Sequence, residues 1–262
     1  MKAVVICVYD EGAVVGTSLI GARGLSILVD VDNERTLFDT GMRGRYLMHN
    51  LDILEMNADT VDRVVVSHAH IAHVGGLEAF LEGRERTVEV IVTQDLKDMG
   101  PVKLLGLPVK KAPLSKMSSE TIGKADIREI DEWTQLSEHL FITDIPAASP
   151  GEGVKENALV VMTAKGAVVI CGCCHNGLTQ FLSYVEEMTK KKVCAVIGGT
   201  HLIKMNKDEV FATAESLKDE HGTPMLYLNH CSGVKQVTNL RVKLGLKGVH
   251  DFYAGTVAEF DI

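Results

Sequence analysis

Three histidines within six residues form the chemically densest stretch of the chain, Ser67-His68-Ala69-His70-Ile71-Ala72-His73-Val74-Gly75-Gly76-Leu77. Neutral imidazole is the commonest protein ligand for divalent transition metals and suits Zn²⁺ or Fe²⁺. His68 and His70 are two apart, so in extended backbone their side chains leave the chain on the same side. Val64-Val65-Val66 supplies a buried strand just before them, and Gly75-Gly76 a turn into a helix just after. Such a strand end is where α/β folds place ligand sites. The competing reading is a polar turn with solvated histidines. The co-occurrence of three His with a Gly-Gly turn weighs against it.

Three further histidines stand in similar contexts. His175 follows the apolar run 167–171, His201 follows Ala195-Val196-Ile197-Gly198-Gly199-Thr200, and His230 follows Met225-Leu226-Tyr227-Leu228-Asn229. His49, His139, His221 and His250 lack that context and read as surface or core residues. The cysteines are 7, 171, 173, 174, 194 and 231, with three of them in Cys171-Gly172-Cys173-Cys174-His175. A disulfide framework belongs to small secreted chains. The N-terminal run Met1–Val8 is cut at Tyr9-Asp10-Glu11 and lacks a small-residue cleavage site, so it reads as a first strand rather than a signal peptide. The thiols are therefore expected to be reduced and the chain cytosolic.

Nucleophile and phosphate-loop signals are weaker. Ser67, Ser149 and Ser232 sit in no Gly-x-Ser-x-Gly elbow. Gly41-Met42-Arg43-Gly44 and Gly12-Ala13-Val14-Val15-Gly16 match neither a phosphate loop nor a dinucleotide fingerprint. Arg43 and Arg45 could meet a phosphate or carboxylate, with solvated surface as the blander alternative.

The elements that must position these residues alternate short apolar runs with helical patterns. Strands are predicted at 3–8, 25–30, 35–38, 63–66, 88–92, 139–142, 158–163, 167–171, 194–197, 225–228 and 251–254. Helices are predicted at 44–55, 76–82, 176–190, 208–220 and 234–243. In the third helix, apolar positions 178, 181, 182 and 185 share one face, and Asn176 is a candidate N-cap. The elements fall into two comparable halves, about 1–145 and 146–262, without an internal repeat, and read as a single domain of 262 residues. Residues 98–124 carry no strong pattern and read as a long loop or insertion over a site.

Composition sets the outer limits. Hydrophobic residues make up 46 % of the chain, too many for intrinsic disorder, and no apolar run is long enough to span a membrane. Asp and Glu number 35 against 27 Lys and Arg, a formal charge of −8, which argues against a nucleic-acid backbone as partner. Lys110-Lys111 and Lys190-Lys191-Lys192 read as solvated surface. A small molecule is the expected partner, not nucleic acid or membrane.

Thr36-Leu37-Phe38-Asp39-Thr40-Gly41, followed by the His68–His73 segment, resembles the first two motifs of the metallo-β-lactamase superfamily. Within it, the chain resembles the branch of 7,8-dihydropterin-6-methyl-4-(β-D-ribofuranosyl)-aminobenzene-5′-phosphate synthase. Gly24–Val29, Ile142–Pro146, Gly172–Gly177, Gly198–Leu202 and Asn229–Gly233 resemble its other elements, in the same order. The resemblance implies an αββα sandwich of the α/β (α+β) class, with two mixed sheets, outer helices and a metal site at one edge. It implies that His68 and His70 bind one metal, that His73 helps bind another, and that His175 with His230 or His201 completes the ligand set. His201 stays open between metal ligation and a hydrogen bond to an anionic substrate. Asp39 would stand behind a ligand and orient it, or only shape the Asp-Thr-Gly turn. A homodimer is expected by analogy alone.

The family's motif is His-x-His-x-Asp-His, and here Ala72 occupies the Asp position. In family enzymes that Asp ligates the second metal and holds or deprotonates the nucleophilic water, and alanine does neither. Two divalent ions in a low-dielectric site repel, and anionic ligands offset the repulsion. One ion per chain is the expected stoichiometry, zinc favoured over iron or manganese. Cys173, Cys174 and Cys231 could replace the lost charge as thiolates, or be buried small residues. The resulting expectation is a metal-dependent hydrolase-type enzyme acting on a small phosphorylated or pterin-like molecule. The alternatives are a catalytically impaired metal- or ligand-binding protein of the same fold, and a ribosyl-phosphate transferase of methanopterin-type cofactor biosynthesis. The acidic charge disfavours a metallonuclease.

Overall fold

The computed structural model describes residues 1–97, 103–104, 107–108, 114, 117–130, 132–146 and 154–262. Of the patternless stretch 98–124, residues 98–102, 105–106, 109–113 and 115–116, Lys110-Lys111 among them, lie outside the described residues, as does Ser149, while the last part of the stretch holds the short helix Ser119–Ile122. The chain forms two compact units, residues 2–132 with 253–259, and residues 133–252 with 1 and 260–262.

The N-terminal unit runs β1 (Lys2–Tyr9), β2 (Ser26–Val31), β3 (Glu34–Phe38), α1 (Gly44–Ile53), β4 (Arg63–Val65), α2 (Ile71–Val74), α3 (Leu77–Glu82), β5 (Val88–Val92), α4 (Gln94–Lys97), β6 (Lys103–Leu104), β7 (Leu107–Pro108), α5 (Ser119–Ile122) and β8 (Ala125–Glu129). The C-terminal unit continues with β9 (Thr134–Gln135), β10 (Leu140–Asp144), β11 (Asn157–Thr163), β12 (Gly166–Cys171), α6 (Leu178–Thr189), β13 (Val193–Gly198), α7 (Lys207–Asp219), β14 (Met225–Leu228), α8 (Val234–Leu244) and β15 (Val249–Asp251). The last strand, β16 (Val257–Asp261), returns to the first sheet beside β1.

Each unit carries one mixed sheet. The first has the order β16-β1-β2-β3-β4-β5-β8, antiparallel from β1 to β3 and parallel from β3 to β8. Its β2–β3 hairpin turns on Asp32 and Asn33, both with positive φ (58° and 62°), the combination a two-residue turn between twisted strands requires. The second has the order β15-β14-β13-β12-β11-β10-β9, antiparallel from β9 to β12 and parallel from β12 to β15. Central β12, Gly-Ala-Val-Val-Ile-Cys, is buried at every position, as a strand covered on both faces must be. The helices α6, α7 and α8 make the parallel crossovers. On α6, Leu178, Phe181, Leu182 and Val185 are the buried residues, the face expected from their spacing. Each unit has its own apolar core, around Leu47, Leu77 and Phe80 in the first and Phe181, Leu182 and Leu217 in the second.

The differences from expectation have local causes. The boundary between the units falls at 132/133, not 145/146, because β9 and β10 hydrogen-bond into the second sheet. The strand predicted at 251–254 lies instead at Val249–Asp251. Asn176 is not the cap of α6: Gly177 is, with φ of 103°, while the Asn176 amide donates to the Ile145 and Val154 carbonyls at 2.8 and 2.9 Å. Strands β8 and β16 were not anticipated; both are edge strands interleaved with charged residues, which leaves only a weak apolar signal. Among the described residues no helix is long and apolar enough to cross a membrane.

Candidate metal centre

The histidine motif leaves the end of β4. β4 ends at Val65, His68 follows in a bend, His70 precedes α2, and His73 lies within it. The turn is held by backbone contacts to the Asp39-Thr40-Gly41 loop: the Thr40 N–H and hydroxyl donate to the His73 carbonyl at 2.7 and 3.0 Å, and Gly76 N–H donates to Gly41 at 3.1 Å. A Cβ at Gly76 would lie 2.0 Å from the Thr40 carbonyl oxygen, and one at Gly75 2.5 Å from that of Met42. The Gly-Gly pair is therefore required by close packing of the two loops.

Asp39, with φ of 63° and no exposed surface, organises the histidines. One carboxylate oxygen accepts the Ser67 N–H at 2.7 Å; the other lies 2.8 Å from the Ser67 hydroxyl and 2.6 Å from His73 Nδ1. A carboxylate can only accept at that distance, so Nδ1 carries the proton, and in the neutral imidazole that leaves the lone pair on Nε2. Ser67 Oγ also lies 2.8 Å from His68 Nδ1, and His68 Nε2 lies 2.8 Å from His70 Nδ1. The His68 ring centroid is 4.5 Å from that of His70 and 4.1 Å from that of His73. Besides standing in the Asp-Thr-Gly turn, Asp39 thus makes a side-chain contact with His73. Ala72 contributes only its carbonyl, which accepts from Leu25 N–H at 3.1 Å.

In the C-terminal unit the candidate residues sit on the loops that leave three adjacent parallel strands, β12, β13 and β14. Each loop holds a non-glycine residue at positive φ: Cys174 at 53°, His201 at 55° and His230 at 48°. Such conformations are costly and concentrate where surroundings over-determine them, functional sites included. One donor atom each from Cys173, His175 and His201 lies within 4.8 Å of the others, as does one each from Cys173, His230 and Cys231. The His175 and His201 ring centroids are 4.3 Å apart. His201 Nδ1 is buried and makes no hydrogen bond. A buried nitrogen in that state costs free energy unless a ligand pairs with it, so the donor set fits a bound transition-metal ion.

Glu156, which the motifs did not flag, shapes this half. Its side chain is fully buried and accepts the backbone N–H groups of Cys173, Cys174 and His175 at 2.6, 2.8 and 2.9 Å. Burial pushes its pKa up to about 7, against the pull of those three donors. The antiparallel pairing of Ala158 with Cys171 extends to place residue 156 beside 173. A charged residue two positions before the apolar run that starts at Ala158 was the available signal.

The thiols separate into two kinds, and all six cysteines are unbridged. Cys171 and Cys174 pack in the apolar core; a hydrogen bond with Cys171 and burial push the Cys174 thiol well up. Burial also opposes ionisation of Cys231, but the Cys173 thiol, His201 and His230 outweigh it and hold its pKa well below the ordinary thiol value. Of the remaining histidines, His49 contacts the Ser18 carbonyl at 2.9 Å, His221 lies 3.4 Å from Glu186, and His250 stacks on Tyr227. Arg43 and Arg45 are exposed, Arg45 lying over the Tyr46 ring.

Sheets of this order with histidines on these loops define a known class. The profile of the metallo-beta-lactamase superfamily matches residues 20–154, and the chain belongs to that superfamily. Among curated relatives, the 7,8-dihydropterin-6-methyl-4-(beta-D-ribofuranosyl)-aminobenzene-5'-phosphate synthase of Methanocaldococcus jannaschii is 24% identical over 269 residues, covering 91% of this chain and 90% of the relative. An uncharacterized protein of the same organism is 25% identical over 234 residues, 83% of this chain and 87% of its own length. Among solved structures, Tm1679, described as a metal-dependent hydrolase of the beta-lactamase superfamily, superposes with a TM-score of 0.82 at 24% identity, covering 99% of this chain and 100% of that one. YhfI from Bacillus subtilis, a metallo-beta-lactamase fold protein, gives 0.64 at 17% identity over 99% of this chain and 100% of its own. The fold is thus the αββα class that the motifs implied.

Proposed function

We propose that the chain is a cytosolic metal-dependent enzyme with a hydrolase-type site for a small phosphorylated or pterin-like molecule. Its metal ligands are drawn from His68, His70, His73, His175, His201 and His230. The observation that carries this reading is the buried Asp39–His73 contact at 2.6 Å, because a carboxylate behind an imidazole is the support that metal-ligating histidines receive. The substrate class rests on the relative named as a phosphate synthase.

When bound, the ion supplies Lewis-acid polarisation of a substrate oxygen and acidifies water. The chain's own residues prepare for it. Asp39 keeps the proton on His73 Nδ1, Ser67 links Asp39 to His68, and Glu156 folds the Cys173–His175 turn around its carboxylate. Position 72 offers a methyl group where the family has a carboxylate, so it neither receives a proton nor offsets a second ion's charge. That favours one ion per chain, with zinc preferred over iron or manganese.

The test is elemental analysis of protein purified without added metal, combined with assays on phosphodiesters, phosphomonoesters, esters and lactones. Wild type, His68→Ala and Ala72→Asp are compared. The expected result is about one metal per chain in wild type, more in Ala72→Asp, and turnover abolished by His68→Ala. Two tightly bound metals in wild type would sink the mononuclear reading, and no metal at all the metalloenzyme reading. Ala72 favours one second reading, a binding protein that has lost catalysis; turnover confined to Ala72→Asp would support it. Transfer from a ribosyl-phosphate donor to an aminobenzoate, with no hydrolysis, would support the transferase variant.

A further inference from the structure

We propose that Cys173 and Cys231 are thiolate ligands which, with His230, hold a soft transition-metal ion in the C-terminal unit. The inference rests on His230 being a ligand, as read above, and adds sulfur to its coordination.

The geometry is already close to what an ion needs. The two sulfurs and one His230 ring nitrogen lie within 4.8 Å of one another. Metal–sulfur and metal–nitrogen bonds of zinc put tetrahedral donors about 3.5–3.8 Å apart, which modest side-chain rotation would reach. Cys173 also groups with His175 and His201, the latter with a buried Nδ1 that makes no hydrogen bond, so imidazole nitrogen lies beside the sulfurs.

The surroundings suit sulfur as an anion. The His201 backbone N–H donates to Cys231 Sγ at 3.2 Å. A Cβ at residue 199 would lie 2.8 Å from Cys231 Sγ and 2.3 Å from the Gly172 carbonyl oxygen, so glycine there makes room for the sulfur. Cys231 follows His230, which is held at φ of 48°. Packing as small apolar residues explains Cys171 and Cys174, both members of the apolar cluster; Cys173 is buried and Cys231 partly buried, yet neither belongs to that cluster. On binding, each thiol releases its proton to solvent as its sulfur–metal bond forms. Thiolates select zinc, cadmium, copper(I) or cobalt(II) over magnesium, calcium or manganese.

Cobalt(II) titration of the metal-free full-length chain tests this, because sulfur ligation produces an intense near-ultraviolet charge-transfer absorption that nitrogen and oxygen ligands do not. The expected result is that absorption in wild type, a decrease in Cys173→Ser and in Cys231→Ser, and its retention in Cys171→Ser. Cobalt affinity should fall at least about tenfold in each of the two ligand variants. The wild-type spectrum decides the matter even if a variant misfolds. Cobalt bound with visible absorption alone overturns the sulfur ligation and leaves the metalloenzyme reading standing. Sulfur absorption in wild type, alongside metal content and turnover unaffected by His68→Ala, does the reverse. Absence of cobalt uptake overturns both.

Discussion

Asp39→Asn separates a carboxylate that positions a metal ligand from one that merely closes a turn. In the wild type the carboxylate serves three donors, the Ser67 N–H, the Ser67 hydroxyl and His73 Nδ1, at 2.7, 2.8 and 2.6 Å. Asparagine keeps one oxygen for the Ser67 N–H but sets an amide N–H against His73 Nδ1. The conflict is relieved when the ring proton moves to Nε2, since Nδ1 then accepts from the amide. Stability should fall by about 1 kcal/mol, the scale of one altered hydrogen bond. Metal affinity should fall about 10–100-fold, because a protonated Nε2 cannot ligate. Asp39→Ala is the harsher comparison. It strands the Ser67 N–H and His73 Nδ1–H in a buried place, at about 1–3 kcal/mol each, or about 2–6 kcal/mol together. For a chain of this size that lowers the melting temperature by roughly 5–20 °C. Thermal denaturation of the metal-free forms reads the first quantity, and competition with a chromogenic chelator the second. Wild-type metal affinity in Asp39→Asn would refute the reasoning and return Asp39 to a purely structural role.

Other substitutions probe the supporting parts. Glu156→Ala leaves three N–H groups, two of them buried and one partly so, without their acceptor and should cost about 3–5 kcal/mol, read as a lower urea midpoint; an unchanged midpoint would mean the Cys173–His175 turn holds itself. Gly76→Ala drives a Cβ to within 2.0 Å of the Thr40 carbonyl oxygen and should destabilise by about 1–3 kcal/mol in thermal melts. Asp144 tests pH dependence: burial raises its pKa above 3.8 despite the Glu156 N–H and Lys155. The native carboxyl therefore holds its proton to higher pH than the unfolded one, and its contribution to stability is lost as pH rises above 3.8. Asp144→Asn should be stabilised relative to wild type at neutral pH, with the difference shrinking as pH falls toward 3.8, as measured by urea unfolding across that range.

The sequence by itself determined what depends on local spacing. The apolar face of α6, the Val64–Val66 strand feeding a His-rich turn, and the substitution at Ala72 were all readable from neighbours a few residues apart. So were the central strands, whose continuous apolar runs reflect burial on both faces. The edges were not: β8 and β16 are defined by pairing with distant strands, and their half-exposed alternation carries little signal of its own. The same limit hid Glu156, which meets Cys173 only through the β11–β12 register, and disqualified Asn176 as a cap, since its amide is taken by carbonyls 22 and 31 residues away. Only the tertiary structure could assign Asp39 its partner 34 positions along the chain and sort the thiols packed in the apolar cluster from Cys173 and Cys231 outside it. Residue types and short spacings limit which atoms can ligate. Protonation state, tautomer and burial depend on long-range neighbours, which are brought into contact only when the chain folds.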